Sequence, residues 1–202
     1  MKFDPTDLSG LLDQDYRESE DEAETPKAAV AAVFRAAEPA IGTELLFIQR
    51  ATKPTDPWSG QMAFPGGRKE DRDPSPQATA ARETSEEVGL QLDPGSYIGS
   101  LTELDGGRAN NRRIIVSAHA FWLDGPRPRL QPNHEVADAL WVPLAHLADT
   151  KRYIDYEYPL TESLFPGIML DRQGQVIWGL TLRLLSDLFA RFDHPFIIEH
   201  SD

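Results

Sequence analysis

"RETSEEVGL", Arg82 to Leu90, places Glu83, Glu86 and Glu87 in a segment that otherwise has the composition of a helix. No lysine lies among them, and Gly89 follows as the kind of residue that ends a helix. Like charges three or four residues apart cost an isolated helix about 0.2 to 0.5 kcal/mol per pair. The first question that the sequence raises is therefore which interaction offsets the repulsion between these carboxylates.

The geometry of a helix sets the directions of these side chains. At about 100° per residue, the three carboxylates share an arc of about 100°. The opposite arc holds small residues, which predicts that the helix packs on a sheet by that face and directs its glutamates outward. Those residues are Ala78, Ala81, Thr84, Ser85 and Val88. Such carboxylates form either a solvated surface or a site for a hard divalent cation, Mg²⁺ or Mn²⁺, and the helix alone leaves both interpretations open.

The flanking segments indicate the fold class. KAAVAAVFRA and ELLFIQRA predict two strands, QMAF a short strand leading into PGG, and DPSP the start of the helix, with Asp73 or Ser75 as N-cap. YIGSLTEL, RIIVSAHAFWL and ADALWVPL predict further strands, KRYIDYEYPLTESLFPG an irregular aromatic segment, and LTLRLLSDLFARF an amphipathic helix. The sequence therefore predicts an α/β (α+β) fold, with a mixed sheet between helices on both faces.

Charge and composition divide the chain and exclude several functions. Residues 1–25 carry nine acidic and two basic side chains, so we predict an acidic, partly flexible arm over 1–26, a domain over 27–195 and a tail over 196–202. Leu8, Leu11 and Leu12 give the arm a way to dock. Cysteine is absent, which excludes disulfides and thiolate chemistry, and the net charge of −13 argues against a nucleic-acid or anionic-membrane partner. The start of the chain does not resemble a secretory signal, and no apolar run reaches the roughly 18 residues of a membrane span. We therefore expect a soluble cytoplasmic protein.

The stretch from Gly66 to Leu90, GGRKEDRDPSPQATAARETSEEVGL, resembles the Nudix box, the signature of the Nudix hydrolases. Its second half matches at Arg82, Glu83, Glu86, Glu87, Gly89 and Leu90. Thr84 replaces the usual aliphatic residue, and one extra residue between Gly67 and Arg82 makes Asp73 the nearest counterpart of the upstream acid.

The resemblance implies a Nudix-like α/β/α sandwich and a metal-dependent pyrophosphohydrolase. Such an enzyme cleaves a nucleoside diphosphate linked to a group X, by attack of water on phosphorus. Mg²⁺ or Mn²⁺ would be bound by Glu83, Glu86 and Glu87, with Glu86 or Glu87 also serving catalysis. Arg82 would brace a carboxylate, Asp73 and Gly89 would support the site, and Gly66 and Gly67 would shape it against the substrate.

The segment before the box resembles the coenzyme A pyrophosphatase branch of the family. LLFIQRATKPTDPWSGQMAFPGG supplies two leucines, a strand ending in Arg50, and the G-x-x-x-F-P-G-G run, while VIWGLTLRLL resembles the closing helix of that branch. Thr55 and Asp56 stand where a second basic residue is usual, a departure that concerns coenzyme A specificity. Arg50, Lys53 and Arg68 are candidate contacts to substrate phosphates, or solvated strand ends.

PNHEVADALWVPL resembles the late Nudix segment in which an acid precedes a W-V-P-L strand end. Glu135 is thus a candidate metal ligand or general base, or a surface residue. The five histidines lack zinc-site spacing and are expected to be structural or exposed. Trp58, Tyr153, Tyr156 and Tyr158, expected in loops, are candidates for stacking an adenine or for filling the core.

Three functional hypotheses follow. The first is hydrolysis of coenzyme A or its thioesters to 3′,5′-ADP and an (acyl-)phosphopantetheine. The second keeps the chemistry, with ADP-ribose, a nucleotide sugar or NADH as substrate. The third is a non-catalytic Nudix domain that senses a ligand. A small-molecule nucleotide is the expected partner, and a homodimer is possible.

Overall fold

The computed structural model describes residues 1–17, 25–53, 58–109, 112–158, 163–170 and 174–193. The helices are α1 (Pro5–Ser9), α2 (Pro76–Val88), α3 (Leu144–Leu147) and α4 (Gly179–Arg191). The strands are β1 (Lys27–Ala36), β2 (Thr43–Arg50), β3 (Met62–Ala63), β4 (Gly66–Arg68), β5 (Tyr97–Ala109), β6 (Arg112–Leu123), β7 (Val136–Pro143), β8 (Tyr153–Tyr158), β9 (Ser163–Met169) and β10 (Val176–Trp178).

Strand β1 lies at the centre of a mixed sheet with the order β3-β2-β1-β6-β5. It pairs in parallel with β6, and antiparallel with β2 at one end and with β4 at the other. β7 covers the other side of β2. The near-continuous apolar run of β1 suits this place, because a central strand is buried on both faces.

Two cores separate the helices onto opposite faces of this sheet. Ala29, Ala31 and Val33 pack with Ala80 and Val88 of α2. The alternate residues of β1, such as Ala32 and Phe34, belong to the core that contains α4, because neighbouring side chains of a strand point to opposite faces. The predicted mixed sheet between helices is thus confirmed.

The prediction of an irregular segment after α3 was wrong. Strands β8 and β9 form an antiparallel pair, and β10 joins β9 to complete a second, three-stranded sheet. Tyr156, Tyr158 and Phe165 pack around Trp178 on one face of this sheet. Their alternation along β8 is a strand signal, but the prolines of the segment hid it. The expected loop position of the tyrosines was therefore also wrong.

The start of the chain is anchored to the domain rather than extended into solvent. Asp4 caps α1, Leu8 and Leu12 are buried in the α4-side core, and Asp13 pairs with Ser100 of β5. Leu11 remains 36% exposed. Residues 18–24, which carry five of the nine acids, and the tail over 196–202 lie outside the described residues, so the division of the chain stays a prediction. In the described part of the chain, no helix has the length and apolar character needed to cross a membrane.

Candidate active site

Helix α2 is fixed at both ends. The Ser75 side chain accepts a hydrogen bond from the Ala78 N–H, Pro76 occupies the first turn, and Gly89 ends the helix in the left-handed conformation at φ 70°. Of the two candidate N-caps, Ser75 is therefore the one used. Of the small residues expected on the packing face, Thr84 and Val88 are buried, whereas Ala78, Ala81 and Ser85 are partly exposed.

The expectation that all three glutamates point outward was wrong. Glu87 is only 3% exposed, Glu83 is half-buried, and only Glu86 reaches solvent. The buried arc of α2 extends past the small residues because strand β4 lies beside the helix and begins with two glycines. Without side chains there, the glutamates of α2 come close to the β4 backbone.

Glu87 is the most deeply buried carboxylate of the group. Its Oε2 accepts a hydrogen bond of 2.9 Å from the Gly66 N–H. Burial raises the pKa of Glu87 to about 7, and the charges of Glu83 and Glu135 act in the same direction, whereas the Gly66 N–H and the Arg50 charge oppose the shift. This carboxyl group is therefore poised to change protonation near neutral pH.

Glu83 occupies the space that a side chain at Gly67 would take. A Cβ added to Gly67 would lie 2.5 to 2.7 Å from the Glu83 carboxylate atoms, closer than van der Waals contact allows. Burial raises the pKa of Glu83, and the neighbouring Arg82 opposes this shift. The second glycine of the box is thus required for the close approach of this glutamate.

Arg82 connects the upstream acid to the helix glutamates. Its Nε and Nη2 donate to the two oxygens of Asp73, each at 2.9 Å, and its Nη1 lies 2.9 Å from Glu83 and 3.1 Å from Glu86. Asp73 is 8% exposed, and the Arg82 guanidinium holds its pKa far below the usual range. Arg72 also reaches Glu86, at 3.4 Å.

Glu135 comes from the loop before β7, which is attached to the end of α2. Asn133 makes this attachment: its N–H donates to the Glu87 carbonyl, its side-chain amide to the Glu86 carbonyl, and its Oδ1 accepts from the Glu135 N–H. The role of Asn133 was not predicted from the sequence. The position of Asn133 two residues before Glu135 is the one sequence feature that points to this role. Lys53 lies 2.6 Å from the Glu135 carboxylate and lowers its pKa.

One cavity of about 470 Å³ brings most of the predicted site residues together. Glu83, Glu87, Glu135, Arg50 and Arg68 line it, beside the two glycines of β4. Arg50 lies at a bulge in the pairing of β2 with β7, and Arg68 at the end of β4.

Other candidate residues lie away from the cavity lining or differ in environment. Lys53 contacts Glu135 at the rim instead of lining the cavity. Trp58 lines it, whereas the tyrosines of β8 do not. His119 is buried beside Ser117, and His134 is exposed. Thr55, Asp56, His194 and His200 lie outside the described residues.

Within the ranges that the structure describes, His, Cys, Asp and Glu side chains form no group of three arranged to hold a metal ion. In this structure Arg82 pairs with the Glu83 and Glu86 carboxylates, and Lys53 pairs with that of Glu135. The donor chemistry still fits a hard divalent cation. The half-buried Glu83 and the buried Glu87 face one cavity, and the Glu83 charge raises the pKa of Glu87, a repulsion that a cation would relieve.

Comparison with protein families agrees with this geometry. The family model described as NUDIX domain matches residues 25–162, a range that contains α2, β4 and Glu135. The chain belongs to the Nudix family. The matched range includes the stretch from Gly66 to Leu90 that resembles the Nudix box, in which Asp73 is bound to Arg82.

Relatives of this Nudix chain occur in a fungus and in a bacterium. An uncharacterized protein of Schizosaccharomyces pombe is 41% identical over 108 residues, which cover 51% of this chain and 32% of that protein. The uncharacterized Nudix hydrolase NudL of Pectobacterium atrosepticum is 29% identical over 155 residues, covering 76% of this chain and 78% of that protein. The chain thus spans about a third of the length of the first relative.

A solved structure shares the fold. The MutT/nudix family protein from Enterococcus faecalis superimposes with a TM-score of 0.50 at 19% identity, covering 63% of this chain and 46% of that chain. At this identity the likeness concerns the fold alone.

Proposed function

We propose that this protein is a divalent-metal-dependent pyrophosphohydrolase that cleaves a nucleoside diphosphate linked to a group X. The observation that carries the proposal is the lining of one cavity by Glu83, Glu87 and Glu135 together with Arg50 and Arg68. Carboxylates and guanidinium groups at one cavity suit a metal-bound diphosphate, because the cation joins two anionic partners and arginine binds phosphate oxygens in a fork.

The residues have distinct roles in this proposal. Glu83, Glu86 and Glu87 would hold Mg²⁺ or Mn²⁺, with Glu135 as a further ligand or as the general base. When bound, the cation would neutralise the diphosphate and acidify the attacking water. Arg50 and Arg68 would orient the phosphates, and Lys53 would join them once it releases Glu135.

The carboxylate that accepts the proton of the attacking water is proposed to be Glu86, Glu87 or Glu135. Arg82 acts through other residues, because it fixes Glu83 and Glu86 against the buried Asp73. Gly66 and Gly67 would keep the backbone close to the substrate, and Gly67 leaves room for the Glu83 carboxylate.

Coenzyme A or its thioesters are the first proposed substrates, giving 3′,5′-ADP and an (acyl-)phosphopantetheine. Support comes from the resemblance of the segment before the box to the coenzyme A pyrophosphatase branch, and Phe64 of that segment lines the cavity. ADP-ribose, a nucleotide sugar and NADH are the alternative substrates. A cytoplasmic location and a homodimer remain predictions.

The deciding experiment is a substrate panel with purified protein, Mg²⁺ and Mn²⁺. It contains coenzyme A, acetyl-coenzyme A, ADP-ribose, a nucleotide sugar and NADH, with products identified by mass spectrometry. We expect 3′,5′-ADP from coenzyme A. Turnover of ADP-ribose alone would move the substrate to the second hypothesis.

Variants separate catalysis from binding. Glu87→Gln should lower kcat by two orders of magnitude or more, whereas Glu157→Gln, a matched change at an exposed position of β8, should keep it within twofold. Nucleotide binding without turnover of any substrate in the wild-type protein would instead indicate a ligand-sensing domain.

A further inference from the structure

Lys53 forms an ion pair at the rim of the cavity. Its Nζ lies 2.6 Å from Oε1 of Glu135, whose carboxylate lines the cavity, whereas Lys53 itself does not line it. The two side chains are 41% and 46% exposed. An ion pair with this much exposure to water contributes little free energy to the folded state. The pair can therefore open and change partners easily.

The main chain on both sides of this pair is held by hydrogen bonds. The Ala51 N–H donates to the Glu135 carbonyl at 2.8 Å, and the Lys53 N–H donates to Oγ of Ser59 at 2.7 Å. The Glu135 N–H is bound in turn to Oδ1 of Asn133. A change of partner thus requires only side-chain rotation, which the flexible four-carbon stem of lysine allows without a movement of the backbone.

The charges of the cavity explain why Lys53 pairs with Glu135. Glu135 lines the same cavity as Glu83 and Glu87, and the charge of Glu135 raises the pKa of Glu87, so these carboxylates repel each other. The Lys53 ammonium places a positive charge at the Glu135 side of this group. A metal ion that binds Glu135 has to compete with this ammonium, because both are attracted to the same carboxylate.

An anionic substrate alters this competition. Arg50 and Arg68, the proposed phosphate contacts, line the cavity together with Glu135. A diphosphate held there carries more than one negative charge, so at equal distance it attracts an ammonium group more strongly than one carboxylate does. The Lys53 Nζ is already within one hydrogen bond of a group that lines the cavity, and a rotation of its side chain directs it to the phosphates.

We propose that Lys53 is a built-in counter-ion of the unliganded site, which holds Glu135 until a diphosphate replaces that carboxylate as its partner. Metal and substrate then bind cooperatively, because the diphosphate frees Glu135 for the cation. This inference rests on the proposed function for the nature of the two ligands, and it adds a regulation of the same site. Lys53 is a positioning residue for the metal, since it acts on the metal through Glu135.

The binding of Mn²⁺ tests this competition without turnover. Electron paramagnetic resonance of the free ion gives the Kd for the wild type, Lys53→Gln, Glu135→Gln and the double variant. We expect Lys53→Gln to lower the Kd about two- to fivefold, the range that an exposed ion pair supports. In the Glu135→Gln background the same change should have no effect, because no carboxylate is left to be released. Lys151→Gln, at an exposed lysine outside the cavity lining, should match the wild type.

Methylenediphosphonate, a non-hydrolysable diphosphate, tests the exchange of partners. At a saturating concentration, with free Mn²⁺ corrected for its complex with the probe, the wild type and Lys53→Gln should bind Mn²⁺ equally, because the probe has already taken Lys53 from Glu135. In metal-free buffer the probe should bind Lys53→Gln about two- to fivefold more weakly than the wild type. Thermal midpoints show whether every variant remains folded.

The outcomes separate this inference from the proposed function. An equal effect of Lys53→Gln with and without Glu135 would indicate a general effect of charge and would overturn the inference. A difference between the wild type and Lys53→Gln that the probe leaves unchanged would overturn it as well. The expected pattern of Mn²⁺ binding without hydrolysis of any nucleotide would support the counter-ion and refute the proposed function. A complete absence of Mn²⁺ binding would refute both.

Discussion

Replacing Glu87 by glutamine should make the metal-free protein more stable at alkaline pH. The glutamine has nearly the same shape, and its amide oxygen can still accept the Gly66 N–H, so the main change is the loss of a buried ionisable group. Burial raises the pKa of Glu87 from 4.5 to about 7 in the folded protein. The folded state thus binds the proton more tightly than the unfolded state does.

The sign and size of the effect follow from this shift. The contribution of Glu87 is fully present below about pH 4.5 and is lost as the pH rises through about 7. A shift of about 2.5 units at 1.36 kcal/mol per unit gives roughly 3 kcal/mol. Wild type and Glu87→Gln should therefore be similar at pH 5, and the variant should be more stable by about 3 kcal/mol at pH 8.5.

Urea unfolding in EDTA, followed by circular dichroism at several pH values, measures this difference. Other titrating groups contribute to both proteins and largely cancel. A difference that does not change between pH 5 and 8.5, or a variant less stable at pH 8.5, would refute the reasoning. Mn²⁺ at about 100 times its Kd should stabilise the wild type by about 2.7 kcal/mol and the variant by less.

Three further changes test other contacts. Gly67→Ala should lower kcat at least tenfold, because its Cβ would displace the carboxylate opposite it, whereas Gly95→Ala, with open space around it, should match the wild type in the same assay. Asp73→Asn should cost about 3 kcal/mol in urea unfolding at pH 7, since the guanidinium that it binds loses its buried charged partner. The difference should shrink as the pH falls below 3.8, because Asp73 of the unfolded wild type then binds a proton, whereas Arg82 keeps the folded carboxylate ionised to a much lower pH. Leu8→Ala should cost about 2 to 5 kcal/mol and the exposed Leu11→Ala less than 1, as measured by unfolding.

The strands and helices of the central domain could be predicted because their patterns are local. The apolar run of β1, the Ser75–Pro76 start and Gly89 end of α2, and the leucine stripe of α4 each indicate their element without tertiary information. The second sheet could not be predicted in this way. The alternation of Tyr156 and Tyr158 is a strand signal, but the pairing of β8 with β9 and the contacts with Trp178 join segments that no local pattern relates.

The glutamates show where helix geometry reaches its limit. Helix geometry predicts that three carboxylates share a face. The burial of Glu87, however, depends on the neighbouring strand β4, which has no side chain at Gly66 or Gly67. The position of Glu135 depends likewise on Asn133, whose hydrogen bonds to α2 join residues 47 positions apart in the chain. Such long-range polar contacts determine the shape of the site and leave almost no trace in sequence patterns.

The attachment of the N-terminal segment has a consequence for biosynthesis. Arg191 of α4 donates to the Leu11 carbonyl across 180 residues of sequence, and Phe3 stacks on Phe192. At a translation rate of about 5 to 20 residues per second, about 10 to 35 seconds separate the synthesis of these partners. Throughout that interval Leu8 and Leu12 lack their final neighbours on α4. The contacts of Leu11 with Arg191 and of Phe3 with Phe192 therefore form only after the end of α4 has left the ribosome.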